Sequence, residues 1–528
     1  MVLASTDCKI PRFAAGGGRA IALTLFAVAS LALAAAINAV LHVVLGWSFN
    51  YISVGFFFSV FFVASSLFVF RKDLGDKPER FFLCVLLTVS VFSSIAFATY
   101  RVSWDVESHY LFSLQFSDPD RYAELSLADA GMVDSTLEYF SISSDGLSAQ
   151  SEQYDALDET DSGRTASASL TELYKRIASL PSSFVLWICD LLSAPFSLSY
   201  VLGRLPYALI YSFVTYFGMK KLLSGKMIYA VIALLPTAVF LASNYSYDYW
   251  VNAFSLYAVA SVVSELQRPD KAMTMRSALS ILLAFLVALG PKAIYFPLVL
   301  ICFLLPKSKF DTDRLRLMFR WGAVFVCLIA IVSFVLPFVI SASGPTGGGD
   351  LRGGSDVNSA GQVSFILSNP IAYARLLFEF LLGTYLAVWN SADFITFYAY
   401  LDHSSRLIWF ALLALLIFVV ITDKRDCDAL VNCAKSRVFV GAIFVVSLIL
   451  VATSLYVSFT PVGHPTVNGC QPRYIIPLLF PLLVFIGSKK LGFDFSGRRE
   501  AVYNMSVMSI MAVALVVGLW QVYICHFV

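Results

Sequence analysis

Charge is what this sequence has least of. Only 14% of its 528 residues are Asp, Glu, Lys or Arg, against about 25% in an ordinary soluble domain. That scarcity excludes a sizeable soluble domain. Lys and Arg form no basic stripe, so no nucleic-acid partner is indicated. The nine cysteines contain no CxxC pair and no zinc spacing. Most lie in apolar runs, where cysteine behaves as a small buried hydrophobe. Cys470 and Cys525 both fall on the outer side of the topology below and could pair, although spacing alone does not bring them together. No internal repeat is evident, and the net charge of +2 says little about partners.

What is present in excess is apolar surface. Hydrophobic residues make up 59% of the chain, mean hydropathy is +0.77, and there are 46 Phe and 25 Tyr. Runs of about 20 apolar residues cross a bilayer as helices. Such runs fall near 20–45, 51–70, 81–100, 202–220, 226–243, 247–265, 277–290, 293–306, 318–341, 406–422, 438–458, 474–488 and 502–525. The expected fold class is therefore all-α, a polytopic transmembrane helical bundle of about 13 spans with an outer-face loop region. Lys9, Arg12 and Arg19 precede the first run, which continues to about Trp47 and reads as a retained helix, not a cleaved signal peptide.

Basic residues set the orientation. With the N-terminus cytoplasmic, the inner loops 1–19, 71–80, 220–226, 266–276, 307–320, 423–437 and 489–499 hold 26 of the 37 Lys and Arg. The C-terminus then lies outside a multi-pass cell-membrane protein. Keeping this bias requires the apolar stretches 182–200 and 371–390 to be interfacial or re-entrant on the outer side. The expected organisation is 1–80 as a cytoplasmic tail plus two additional helices, 81–490 as a core with outer loops 101–181 and 342–405, and 491–528 as a terminal helix. Segment 101–181 carries 15 acidic and 5 basic residues. Its Ser-, Asp- and Glu-rich stretch 141–169 reads as partly disordered, and the Gly- and Ser-rich 342–362 as a mobile loop.

Four polar constellations stand on the outer side. Ser103 to Tyr110 packs Asp105, Glu107 and His109 into five residues. A carboxylate there suits a general base, and Asp105 and His109 would share a helix face. Metal binding by the three, or a plain acidic loop start, are the alternatives. Asp248 follows Asn244-Tyr245-Ser246-Tyr247 and is either an interior acid or a helix cap. Lys292 follows a Gly290-Pro291 break between two short apolar segments, an arrangement that marks a protein-buried site or a tight hairpin with a snorkelling lysine. Gln471-Pro472-Arg473-Tyr474 precedes a span; its guanidinium can grip phosphate oxygens or anchor the interface. Arg204 adds a further cation on the same side.

These residues resemble a known family. The chain is similar to the bacterial polytopic proteins of domain-of-unknown-function family 2142, grouped with the membrane-embedded GT-C glycosyltransferases, over roughly 95–490. That family has Pro-Asp-Glu-x-x-His after an early span; here Trp104 replaces the Pro, Val106 the first Glu, and Glu107 comes one place later. Leu235-Pro236 with Ser246-Tyr247-Asp248, Pro291-Lys292-Ala293-Ile294-Tyr295-Phe296-Pro297, and Gln471-Pro472-Arg473-Tyr474 resemble its Pro-then-Ser-x-Asp, Lys-x-x-Tyr-x-Pro and Gln-Gly-Arg-Tyr segments. The resemblance implies a GT-C-like fold with Asp105, or else Glu107, as base.

The expected activity is transfer of a sugar from a polyprenyl-phosphate donor to a cell-surface or cell-wall glycan, with inversion. Asp105, Glu107 and His109 are the expected catalytic residues. Lys292, Arg473, Tyr474, Gln471, Asp248 and Arg204 are the expected substrate-binding residues. The expected partners are the lipid bilayer, the donor and the acceptor; no metal site is assigned, and a divalent cation stays open as cofactor. The alternatives are a transporter or flippase, a polymerase of lipid-linked glycans, or a membrane scaffold.

Overall fold

A computed structural model describes residues 17–118, 122–342, 350–354, 356–487 and 497–528. Lys9 and Arg12 lie outside the described residues, as do 343–349, 355 and 488–496. The chain is 74% helical, with 21 α-helices among the described residues. Six helices are long and apolar enough to cross a membrane: Gly18–Leu45, Tyr51–Phe70, Glu79–Ala96, Asp313–Leu336, Ala434–Phe459 and Arg498–Val522. Ser359–Ser368 and Pro370–Tyr385 add a seventh only if taken as one span bent by 106°.

The expected count of about 13 is therefore not met by length and composition. Proline and glycine are the physical reason. The run 226–243 breaks at Pro236 into Lys226–Ala233 and Pro236–Ala242, because proline cannot continue the preceding helix's hydrogen-bond ladder. The run 293–306 becomes a 3₁₀ helix, Ala293–Leu304, with Pro297 inside it. Met275–Leu289 and Arg406–Thr422 are short apolar helices. The stretch 182–200 divides into Leu180–Leu191 and Phe196–Leu202. The longer, at 12 residues, rises about 18 Å, well short of a hydrocarbon core of about 30 Å.

Burial is uneven. The innermost elements are Lys226–Ala233, Pro236–Ala242 and Asp248–Leu266, in which Ile228 to Leu235 are completely buried. A helix apolar all round is buried, whether in a protein core or in a membrane, so these segments look like spans in the sequence. Helix Gly18–Leu45 is the opposite case. Only 11% of its most apolar window is buried, and it packs chiefly on Tyr51–Phe70.

Two expectations about the polar region need correction. The fold is not purely α: Tyr122–Ser126 pairs antiparallel with Asp161–Ser167, with Tyr122 opposite Ser167. The stretch 141–169 is also ordered. It holds helix Ser144–Asp158, capped by Ser143, and the second strand. Tyr154 secures that helix by donating to the Glu138 carbonyl at 2.7 Å, and Asp155 accepts from the Ser197 backbone at 2.7 Å. These buried anchors outweigh the polar composition. Cys470 and Cys525 are both free.

Candidate functional site

The site forms where three chain breaks meet. The first is the start of helix Asp248–Leu266. The second is the Gly290-Pro291-Lys292 turn. Its glycine is required, because a Cβ at Gly290 would meet the Tyr174 carbonyl oxygen at 2.4 Å. The third is Pro472–Ile475, a 3₁₀ turn following Gly469, whose φ of +70° favours glycine. Tyr295 joins the second to the third by donating its hydroxyl to the Tyr474 carbonyl at 2.7 Å. Tyr385 donates to the Gln471 carbonyl at 3.0 Å.

These turns place two cations around one carboxylate. Lys292 Nζ is 3.7 Å from Asp248 Oδ1, and Arg473 Nε is 3.6 Å from Asp248 Oδ2. The three side chains are only 13%, 6% and 11% exposed for Lys292, Arg473 and Asp248. Both distances are too long for hydrogen bonds. Lys292 Nζ and Arg473 Nε are buried without a hydrogen-bond partner, as is Gln471 Oε1. Aromatic faces supply the rest of the cation environment. Lys292 Nζ sits 3.3 Å from the centroid of Tyr474 and 5.4 Å from that of Tyr247. The Arg473 guanidinium lies 4.1 Å over Trp104.

The early motif reaches the same place. Helix Val106–Leu114 begins after Asp105, whose φ of 53° is left-handed. A non-glycine residue in that region is a local strain that the surroundings must hold. His109 donates its backbone NH to the Asp105 carbonyl at 3.0 Å, although Asp105 itself stands before the helix and not within it. The His109 ring meets Tyr247 edge-on, with centroids 4.7 Å apart. Burial pushes its pKa down to about 4, although Asp105 and Asp248 pull it upward. The imidazole is therefore neutral at neutral pH. The same electrostatic neighbourhood contains Lys292 and Arg473.

Asp105 has a partner that the sequence reading missed. Arg352 Nη1 donates to Asp105 Oδ1 at 3.0 Å and to Ser108 Oγ at 3.4 Å. Arg352 Nη2 also binds Asp350 at 2.7 Å, and the Asp350 backbone NH is tied to the Ser458 carbonyl at 2.8 Å. The only signal for this in the sequence is a lone arginine within the Gly- and Ser-rich 342–362. Asp105 remains 45% exposed. A cavity of about 230 Å³ adjoins the cluster, walled by His109, Tyr247, Pro291, Glu172, Lys175 and Arg176.

The other expected site residues fare differently. Glu107 acts electrostatically on Arg352 and Tyr400. Arg204 does not join the cluster. It is fully buried, donates to the Ala98 carbonyl, and lies over the Tyr200 ring at 5.1 Å. Its electrostatic neighbours are Tyr200, Tyr245, Tyr523 and Tyr51. Its position at a helix start suggested the outer pocket, but the side chain turns into this tyrosine-rich core. Asp105, Glu107 and His109 do not converge as metal ligands. Among the described residues no group of three or more His, Cys, Asp or Glu could hold a metal ion.

The family model for predicted membrane proteins of domain-of-unknown-function family 2142 matches residues 143–482. That is more than half of the chain, which therefore belongs to this family of membrane proteins. The match is narrower than the expected 95–490. It includes Asp248, Lys292, Gln471, Arg473 and Tyr474, and begins after Asp105, Glu107 and His109. No curated protein matches the chain. No solved structure matches it either.

Proposed function

We propose that this chain is a GT-C-type glycosyltransferase. It takes a sugar from a polyprenyl-phosphate donor and passes it, with inversion, to a cell-surface or cell-wall glycan at the outer face of the cell membrane. The observation that carries this reading is the charge balance around Asp248. Two enclosed cations face one carboxylate, leaving one positive charge in excess, and Lys292 Nζ and Arg473 Nε lack hydrogen-bond acceptors. Enclosed charge without partners is costly, so the arrangement suits an anion that arrives with the substrate. A phosphate between Lys292 and Arg473 would complete both.

The chemistry follows from the same geometry. Asp248 is enclosed and faces the two cations. Asp105 is 45% exposed, so an acceptor hydroxyl can reach it, and Arg352 orients it; it serves as the base. It takes the proton from an acceptor hydroxyl as that oxygen attacks the anomeric carbon. The bond from that carbon to the phosphate oxygen breaks, and its electron pair leaves with the lipid phosphate. Lys292 and Arg473 stabilise the departing charge. Neutral His109 orients the groups without competing for the phosphate. Glu107 acts from farther out, through Arg352.

The test uses the full chain in liposomes with a radiolabelled polyprenyl-phosphate sugar and glycan acceptor. Asp105→Asn is expected to lower transfer by about 10²–10⁴-fold, with unchanged donor binding. Lys292→Ala and Arg473→Ala are expected to weaken donor binding instead. Wild-type transfer by Asp105→Asn refutes the base assignment. Movement of the labelled lipid across the bilayer without sugar transfer establishes the flippase alternative.

A further inference from the structure

At the membrane end opposite the site, a second opening is built quite differently. A groove of about 1090 Å³ runs between helices Arg406–Thr422 and Arg498–Val522. Ala411, Ala414 and Ser506 line it with small side chains that leave room between the two helices. Val502, Ile510 and Phe418 form apolar walls. The polar mouth is supplied by Arg498 and Arg499, both exposed. The nearby acid, Glu500, is already paired with Arg425 and does not neutralise them.

The dimensions identify an occupant. From Arg499 to Ile510 the helix rises about 17 Å. Half of a hydrocarbon core of about 30 Å is about 15 Å. The groove therefore runs the depth of one leaflet, apolar along its length and doubly cationic at its mouth. Its opposite polarity ends also match a lipid, because basic residues at a membrane boundary attract anionic headgroups. The far end of the same helix lies at the site end, where Gly518 packs against Tyr398 and Tyr523 donates to the Ala96 carbonyl at 2.8 Å. The groove is thus separate from the Asp248 cluster.

We propose that this groove is a binding site for an anionic phospholipid, with an acyl chain between the two helices and its phosphate on Arg498 and Arg499. The site has no part in sugar transfer and does not depend on that reading. Native mass spectrometry of the full chain, released from nanodiscs of mixed phosphatidylglycerol and phosphatidylcholine, tests it. Wild-type protein is expected to retain one phosphatidylglycerol at least 10-fold in preference to phosphatidylcholine. Arg498→Gln with Arg499→Gln should erase the preference, and Ala414→Phe should expel the chain and lower retention of both lipids. Inorganic phosphate should not compete. Equal retention of the two lipids by wild-type protein overturns the proposal. So does a preference that survives the double substitution, or competition by inorganic phosphate alone.

Discussion

Both ends of this helical bundle bury charge, but they finish it in opposite ways. At the end away from the site, Lys309 Nζ donates to the Arg268 and Lys271 carbonyls at 2.5 Å each and pairs with Glu265 at 2.9 Å. Asp428 accepts from Ser224 at 2.5 Å and Gln267 at 2.8 Å, and Asp423 accepts from the Met227 backbone at 2.5 Å. At the site end, Lys292 and Arg473 hover beyond hydrogen-bond range of Asp248. A buried polar group with partners holds a fold together. One without them costs stability and remains only where something else completes it. The first cluster is a fastening; the second leaves hydrogen-bonding capacity unfilled.

Three substitutions test that contrast. The largest effect is that of Lys309→Met, which takes away the cation paired with Glu265 and leaves that carboxylate its hydrogen bond from Ser277; it should cost about 3–5 kcal/mol, read as loss of folded yield and a lowered Tm in detergent. Lys292→Met should leave the unfolding free energy within about 1 kcal/mol of wild type, with Tm unchanged or raised, since an incompletely paired cation is removed. Equal destabilisation by the two changes would break the comparison. Next, if the proposed polyprenyl-phosphate donor binds here, Arg473→Ala should weaken its binding by about 10–100-fold, the worth of a charged hydrogen bond of about 1.5–3 kcal/mol, in a binding assay with the labelled lipid.

Two effects concern pH. His109 has a folded pKa near 4, below its unfolded value of about 6.5. Its contribution to stability is present above the unfolded value and is lost as pH falls towards 4, because the unfolded chain binds the proton first. His109→Gln should flatten the fall in Tm across that window; an unchanged slope would show that His109 is not its source. The smallest effect belongs to His403, which lies 2.8 Å from Asp393 and 3.1 Å from Asp402. Burial lowers its pKa, but its two carboxylate partners more than offset that, and the net shift is upward. Its stabilisation is present below about 6.5 and is lost as pH rises through the raised value. For so exposed a group it should amount to less than about 1 kcal/mol. The difference in Tm between wild type and His403→Gln at pH 6 and pH 9 measures it.

Much of the site was legible because its residues sit at breaks in apolar runs. Asp248, Lys292 and Arg473 each follow an interruption, and a charge surviving there draws notice in a sequence that is only 14% charged. Arg204 carried the same signal and belongs elsewhere, since helix position does not say which way a side chain turns. Arg352 carried almost none: its partner Asp105 is 247 positions away. Length and composition do not confirm the span count of about 13, for a related reason. Ile228 to Leu235 are apolar because protein surrounds them, and hydropathy does not distinguish a protein neighbour from a lipid one.

By itself the sequence determined that this chain lives in a membrane and is helical, because so little charge leaves no other place to satisfy its backbone. It also marked where the helices break. Only the tertiary structure decided which apolar runs are enclosed by the rest of the chain, and that Asp105, Asp248, Lys292 and Arg473 share one neighbourhood. The physical reason is that hydropathy is a property of each segment, whereas the cluster depends on contacts between segments far apart in the chain, fixed by tethers such as the Tyr295 hydroxyl on the Tyr474 carbonyl.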